Sequence, residues 1–123
     1  ALTIGEIQVD FLGVSSYEGT RSSGEVKITH DLSAAMAGKH ILLVEDIVDT
    51  GLTLSYLLEN MQARHPASLK VVSLLYKPAR RKVPASVDYV GFTIEDKFVV
   101  GYGLDLDGIF RNLDYVAIYK GGA

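Results

Sequence analysis

The feature that most restricts the fold is a change of hydrophobic period between residues 41 and 75. Residues 41–44 form a continuous apolar run, which is typical of a strand buried on both faces of a parallel sheet. From Thr53 the period becomes helical, with Leu54, Leu57, Leu58 and Met61 on one face. Residues 69–75 repeat the pattern of a buried strand. Strand, helix and strand within about 35 residues predict a right-handed βαβ unit, and therefore an α/β fold with a largely parallel sheet.

Length and charge restrict the chain further. Its 123 residues are expected to form one compact domain, residues 1–123. The 12 basic and 15 acidic side chains give a net charge of −3, which argues against a general nucleic-acid binder. The absence of Cys excludes disulfides and thiolate metal sites, and fits a reducing, cytoplasmic compartment. No apolar run approaches the roughly 20 residues that span a bilayer, so no membrane partner is expected.

Further strands are predicted on both sides of the βαβ unit. The alternation of Ile7, Val9 and Phe11 with polar residues predicts a strand over residues 7–14. Residues 15–25, which are polar and rich in Gly and Ser, are expected to form a long mobile lid loop. Shorter strands are predicted at residues 26–29, 87–90, 98–100 and 115–119.

Three acids follow the first strand of the βαβ unit. Glu45, Asp46 and Asp49 come after a strand predicted to end at Val44, and residues 50–53 lead into the helix. Ligands of open α/β sheets bind beyond the carboxyl ends of the strands. The unpaired N–H groups of a helix start, together with Thr hydroxyls, form a phosphate cradle. The acids need a different partner on the same ligand, either sugar hydroxyls or a divalent cation. The turn therefore predicts a phosphorylated sugar bound with Mg²⁺.

The same segment resembles a known signature. "VEDIVDTGLT" resembles the phosphoribosyl pyrophosphate (PRPP) signature of the type I phosphoribosyltransferases. "VVSLLYKP", "DYVGFTIEDKFVVGYGLD" and "FRNLDYV" resemble the hypoxanthine-guanine branch of that family. The similarity runs from Val9 to the end of the chain and implies the type I phosphoribosyltransferase fold, a mostly parallel twisted sheet flanked by helices. The family also has an earlier strand, a Leu-Lys-Gly turn and a helix, so we expect this chain to represent an N-terminally incomplete domain.

The resemblance implies that the acids and the following turn bind PRPP. Glu45 and Asp46 would bind the ribose hydroxyls and Mg²⁺, and Asp49 would act as a general base or acid near purine N7. Asp105 would bind a Mg²⁺ that bridges pyrophosphate. Arg111 would bind the pyrophosphate itself, since a guanidinium fork matches phosphate oxygens. The residues expected to hold the phosphoribosyl group are Glu45, Asp46, Asp49, Thr50, Gly51, Leu52 and Thr53.

The resemblance also implies a purine site. Lys77 would donate to purine O6 and thereby favour a 6-oxopurine over adenine, whose amino group is itself a donor. Phe98 would stack on the ring and the backbone of Val99 would read its edge, with Asp105 counted in the same site. Taken alone, however, Lys77 is typical of a surface lysine and Phe98 of a core strand residue.

The implied activity is purine salvage, in which hypoxanthine or guanine and PRPP give IMP or GMP and pyrophosphate, with Mg²⁺ as the cofactor. Ser16 and Tyr17 resemble a lid that closes over the reacting centre and excludes water. A homodimer or homotetramer is implied as well. Three alternatives stay open: a xanthine-preferring relative, a Mg²⁺-dependent phospho-receiver domain, and a regulator of the same fold that binds nucleotides or nucleic acid. The acidic net charge weakens nucleic-acid binding, and receiver domains gather their acids from separate strands.

Overall fold

The computed structural model describes residues 5–16, 26–83 and 86–121. Its strands are β1 (Gly13–Ser16), β2 (Val26–His30), β3 (His40–Val48), β4 (Ser68–Tyr76), β5 (Tyr89–Thr93), β6 (Val99–Val100) and β7 (Ala117–Ile118). Helix α1 (Leu52–Gln62) lies between β3 and β4, and a short 3-10 helix (Pro78–Arg80) follows β4. β3, β4 and β5 form one sheet in that order, with β4 and β5 parallel, whereas β1–β2 and β6–β7 are antiparallel pairs. The predicted α/β class and strand-helix-strand order are confirmed.

The chain divides into two compact units. The first contains residues 1–41 and 52–69, and the second contains residues 42–51 and 70–123. The buried apolar residues of the first unit are Met36, Leu54, Leu57 and Met61, and those of the second are Val48, Val71, Leu75 and Val100. The helical spacing predicted for α1 is therefore confirmed by the residues that it buries. In the described part of the chain, no helix is both long and apolar enough to span a membrane.

β3 extends beyond its predicted end at Val44 and continues to Val48. The expectation that both faces are buried is wrong, because Leu42 and Val44 are 55% and 71% exposed. The half-buried positions are Ile41, Leu43, Glu45 and Ile47. Strand alternation thus assigns Glu45 to the more buried side and Asp46 to the exposed side. The acids do not end the strand, since the apolar pattern resumes after them and closes on the buried Val48.

The strand predicted over residues 7–14 is wrong for residues 7–12, because β1 begins only at Gly13. Val9 and Phe11 are 77% and 74% exposed. The Asp10 carboxylate accepts hydrogen bonds from the backbone N–H of Phe11 at 2.8 Å and of Ser33 at 3.0 Å. Such bonds from a side chain to nearby backbone compete with a strand ladder. The return strand predicted at residues 26–29 is confirmed as β2.

β5 begins later than the strand predicted at residues 87–90. Asp88 accounts for this start, because its Oδ2 accepts a hydrogen bond from the Val71 N–H at 2.7 Å and its own N–H donates to the Val71 carbonyl at 3.0 Å. This double contact anchors the chain to β4 one residue before the parallel pairing begins. β6 and β7 lie where strands were predicted at residues 98–100 and 115–119, but each is shorter.

Gly101 follows β6 in a conformation that suits glycine. Its φ is +94°, and a Cβ at this position would overlap the Tyr115 carbonyl oxygen. Gly103 has the same φ of +94° but open space around a Cβ. We expect Gly101→Ala to lower the free energy of unfolding by about 2 kcal/mol or more, and Gly103→Ala by about 1 kcal/mol. Urea unfolding measures the difference, and equal losses would show that the close approach to Tyr115 has no energetic consequence.

Candidate active site

Charged residues lie where three neighbouring strands of one sheet end. Asp49 follows β3, Lys77 and Arg80 follow β4, and Asp96 follows β5. The backbone N–H of Lys77 donates to the Val48 carbonyl at 3.0 Å, so the ends of β3 and β4 are adjacent. Ligands of α/β sheets bind beyond the carboxyl ends of the strands. This edge of the sheet is therefore the candidate site.

The turn after β3 has a second backbone connection to the segment after β4. The N–H of Lys82 donates to the Thr50 carbonyl at 2.8 Å. Together with the bond between the two strand ends, it brackets Asp49 on both sides. Gly51 closes the turn with a φ of +84°, a left-handed conformation that glycine adopts without a steric penalty. The backbone around Asp49 is thus held in place from both sides.

Arg80 lies between two carboxylates. Its Nε is 2.8 Å from Asp49 Oδ1, and its Nη1 is 3.5 Å from Asp96 Oδ1. The contact with Asp49 is ionic and lacks the alignment of a hydrogen bond. Asp49 and then Asp96 raise the pKa of the Arg80 guanidinium above its ordinary value. The three side chains form a charged cluster at the edge of the sheet.

Sequence reasoning predicted Asp49 at this cluster but missed Arg80 and Asp96. The available signal was their position, because each follows a predicted strand that belongs to the same sheet as β3. What the sequence does not show is that these strand ends converge on one guanidinium.

Glu45 and Asp46 lie within β3, and not in the turn where they were predicted. Burial, and secondly the charge of Asp46, raise the pKa of the Glu45 carboxyl to about 7. Asp46 is exposed, and its Oδ1 accepts a hydrogen bond from the Ile47 N–H at 2.7 Å. At neutral pH the Glu45 carboxyl is consequently partly protonated.

Two of the residues predicted to recognise the purine, Lys77 and Phe98, have unusual exposures. Lys77 is only 5% exposed, whereas Phe98 is 50% exposed. The Phe98 ring meets the Tyr119 ring edge to face, with centroids 6.3 Å apart. Val99 is half-buried in β6. Lys77 is therefore no ordinary surface lysine and Phe98 no ordinary core residue, contrary to what each residue type suggests alone.

Asp105 and Arg111, predicted for Mg²⁺ and pyrophosphate, lie together. Arg111 Nη2 is 3.1 Å from Asp105 Oδ1, and Arg111 Nη1 donates to the Gly103 carbonyl at 2.6 Å. The other Asp105 oxygen accepts a hydrogen bond from the Gly108 N–H at 2.8 Å. The arginine side chain is 59% exposed, so it is accessible to an anion from solution.

The acids predicted to hold Mg²⁺ do not form a closed cage. Among the residues that the structure describes, no three His, Cys, Asp or Glu side chains converge on one point. Mg²⁺ in nucleotide and phosphate sites usually has one or two protein carboxylates and takes its other ligands from phosphates and water. Glu45 and Asp46 supply this number of carboxylates, and the charge of Asp46 acts on Glu45 strongly enough to contribute to its raised pKa, although strand alternation assigns the two side chains to opposite sides of β3.

The remaining predicted residues lie elsewhere or outside the description. Ser16 ends β1, and Tyr17 with the rest of the predicted lid to residue 25 lies outside the described residues. Leu52 and Thr53 are the first residues of α1. Their predicted role with phosphate stays a prediction.

A cavity of about 790 Å³ is lined mainly by other residues. Its walls are mostly apolar and include Leu74, Phe92, Tyr115 and Ile118. Of the predicted site residues that the structure describes, Val99 alone lines it. A ligand with phosphates and hydroxyls needs charged and polar partners, so the edge of the sheet around Asp49 fits such a ligand better than this cavity does.

Comparison with known proteins identifies the family of the chain. A family model described as a phosphoribosyl transferase domain matches residues 1–107. The hypoxanthine-guanine phosphoribosyltransferase of Bacillus subtilis is 51% identical over 115 residues, which are 93% of this chain and 64% of that protein. The hypoxanthine-guanine-xanthine phosphoribosyltransferase of Tritrichomonas foetus is 44% identical over 116 residues, which are 94% of this chain and 63% of that protein.

A solved structure extends the agreement to the fold. The crystal structure of a Staphylococcus aureus hypoxanthine phosphoribosyltransferase aligns with a TM-score of 0.85 and 49% identity, over 90% of this chain and 61% of that one. The chain spans less than two thirds of the length of each of these relatives. The predicted fold is confirmed, and the chain belongs to the phosphoribosyl transferase domain family.

Proposed function

We propose that this chain transfers the 5-phosphoribosyl group of PRPP to hypoxanthine or guanine, giving IMP or GMP and pyrophosphate. The observation that carries the proposal is the edge of the sheet where Lys77, 5% exposed, is tied through its N–H to the strand that precedes Asp49. A buried ammonium and a carboxylate at adjacent strand ends provide a donor and an acceptor for one ligand. The names of the relatives at 44% and 51% identity support the same reaction class.

Asp49 acts on the purine in this reaction. Purine N9 attacks C1′ of the sugar while the bond to pyrophosphate breaks, and the ring must exchange a proton as its electrons redistribute. A carboxylate within hydrogen-bond reach of N7 takes or returns that proton. The backbone bonds on both sides of Asp49 hold it in position for this step.

Lys77 and Phe98 recognise the base. The Lys77 ammonium has only donors, so it favours the carbonyl O6 of hypoxanthine and guanine over the amino group of adenine. The half-exposed Phe98 ring offers an apolar face for stacking. Xanthine is the second candidate base, because the Tritrichomonas foetus relative is named for it as well.

Two groups of side chains neutralise the negative charge of PRPP. Arg111, whose guanidinium is exposed beside Asp105, binds pyrophosphate oxygens as they gain charge. Glu45 and Asp46 would hold Mg²⁺, with Asp105 as a further carboxylate, and the ion supplies charge neutralisation for the leaving pyrophosphate. The ribose hydroxyls are assigned to Glu45 and Asp46, and the 5′-phosphate to residues 49–53.

A single assay tests the function. Purified protein with PRPP and Mg²⁺ is offered hypoxanthine, guanine, xanthine or adenine, and nucleotide and pyrophosphate are quantified together. We expect equal amounts of both products with hypoxanthine or guanine, none with adenine, and none in EDTA. A stable aspartyl phosphate after treatment with a phosphodonor, without nucleotide formation, would instead support a receiver domain.

Lys77→Met tests base recognition while keeping the apolar length of the side chain. We expect kcat/KM for hypoxanthine to fall roughly 10-fold relative to that for adenine, with a smaller change in the KM for PRPP, because the lost donor serves only the base. Lys82→Met removes an exposed lysine from the same segment and is the matched control. An equal loss for every base, together with weaker PRPP binding, would contradict this role.

Three further predictions concern the oligomeric state of the protein, its location in the cell and the lid. A homodimer or homotetramer is expected, and light scattering coupled to gel filtration measures it. A cytoplasmic location fits the use of PRPP and the absence of Cys. The lid that includes Ser16 and Tyr17 is expected to limit hydrolysis of PRPP when the base is absent.

A further inference from the structure

We propose that Arg80 is a positioning residue that orients the carboxylate of Asp49 toward the purine, an inference that rests on the proposed function. Arg80 Nε is 2.8 Å from Asp49 Oδ1. A carboxylate turns easily about its last side-chain bond, because that torsion has broad minima. Pairing one oxygen with a fixed guanidinium leaves Oδ2 for the proton at purine N7, since a general base must present one oxygen at hydrogen-bond distance.

Arg80 can orient Asp49 because Arg80 is itself held at two further points. Its Nη1 is 3.5 Å from Asp96 Oδ1. Its backbone N–H donates to the Lys77 carbonyl at 3.2 Å, within the short 3-10 helix. A long side chain that is restrained at both ends has few accessible rotamers, so its contact with Asp49 keeps one geometry. The three members of this cluster come from the ends of β3, β4 and β5, so the sheet sets their spacing.

Stability alone does not explain this cluster. The side chains of Arg80, Asp49 and Asp96 are 45%, 39% and 54% exposed. The Asp49 oxygen that faces Arg80 is itself buried, but the two side chains as a whole are open to water, and ion pairs between such side chains contribute little to folding because solvent screens them. If Arg80 served only a surface ion pair, its removal would change neither kcat nor the dependence of kcat on Asp49. If Arg80 orients Asp49, its removal should change both.

Single substitutions give the first readout. We expect Arg80→Ala to lower kcat roughly 10-fold, since a small misplacement of a catalytic group is enough for such a loss, and to leave the KM for PRPP within about twofold. Arg80→Lys keeps the charge but cannot reach both acids, so it should recover only part of kcat. Arg81→Ala removes the same charge one residue away and should leave kcat unchanged. Thermal unfolding should show Arg80→Ala within about 3 °C of the parent protein.

A double-mutant cycle gives the decisive readout. If Arg80 acts through Asp49, then Arg80→Ala should change kcat less than about threefold once Asp49→Asn is present. Asp96→Asn should lower kcat by a smaller factor than Arg80→Ala, and should have no further effect when Arg80 is already Ala. Multiplicative effects of Arg80→Ala and Asp49→Asn, or an equal loss with Arg81→Ala, would overturn the inference while leaving the proposed function intact. A parent protein that forms no nucleotide from any base would overturn the proposed function, and this inference with it.

Discussion

Asp49→Asn is expected to lower kcat by at least about 100-fold, the loss typical of removing a general acid–base group. Asn has the same size and shape as Asp, so the bracketing backbone bonds to Lys77 and Lys82 should persist. The amide cannot take the proton from purine N7, and it no longer balances the charge of Arg80. Initial rates of IMP and pyrophosphate formation at saturating PRPP measure the change.

The control for Asp49→Asn is Asp107→Asn. Asp107 is exposed and has a φ of +52°, a conformation that Asn tolerates as well as Asp does. This control removes one negative charge from the same unit and should leave kcat unchanged. A normal rate for Asp49→Asn would show that this carboxylate does not exchange the proton, and a parallel fall in thermal stability would attribute a lower rate to misfolding.

Glu45→Gln is expected to raise the free energy of unfolding by up to about 3 kcal/mol at pH 8 in metal-free solution, and by less than about 1 kcal/mol at pH 5. Burial and the charge of Asp46 raise the pKa of Glu45 from an ordinary 4.5 to about 7 in the folded chain. The folded protein therefore holds this proton more tightly than the unfolded chain does. The contribution of Glu45 to the free energy of unfolding is therefore greatest below pH 4.5 and is lost as the pH rises toward 7 and above.

Urea unfolding in EDTA at several pH values tests the Glu45 prediction. Asp46→Asn is the matched control, since it removes only the smaller of the two causes and should give a smaller gain at pH 8. A gain of equal size at pH 5 and pH 8 would rule out a titrating carboxylate as its source. Glu45→Gln should also weaken the Mg²⁺-dependent use of PRPP, so its stability and its activity are expected to change in opposite directions.

The elements that sequence reasoning predicted well are those whose signal is local. The helical spacing of Leu54, Leu57 and Met61 directly predicts the buried face of α1. The apolar run of β4 likewise predicts a strand in the middle of the sheet. Both signals survive because neighbouring residues in the sequence create them, whatever the rest of the chain does.

The elements that it predicted poorly depend on distant partners. The sequence predicts that β3 ends at Val44, where the continuous apolar run stops, yet the strand continues to Val48. The difference matters chemically, since strand alternation is what half-buries Glu45. Arg80 was missed for a similar reason, because its contacts with Asp49 and Asp96 arise from the order of strands in the sheet.

The residues proposed to bind the purine show a third relation between sequence and structure. The resemblance named Lys77 and Phe98, while their residue types alone suggested the opposite exposures. The structure places the lysine at 5% exposure and the phenylalanine at 50%. A buried lysine and a solvent-exposed aromatic ring are both unfavourable for folding. This pattern is expected where side chains bind a ligand.

The two main-chain hydrogen bonds between the turn after β3 and the segment after β4 limit how this domain can be redesigned. Val48 and Thr50 accept them from Lys77 and Lys82, on either side of Asp49. Grafting residues 77–82 from a relative with another base preference is therefore expected to shift the backbone that carries Asp49. Under the roles proposed for Lys77 and Asp49, base selectivity and turnover depend on these two linked segments, so a graft should include both.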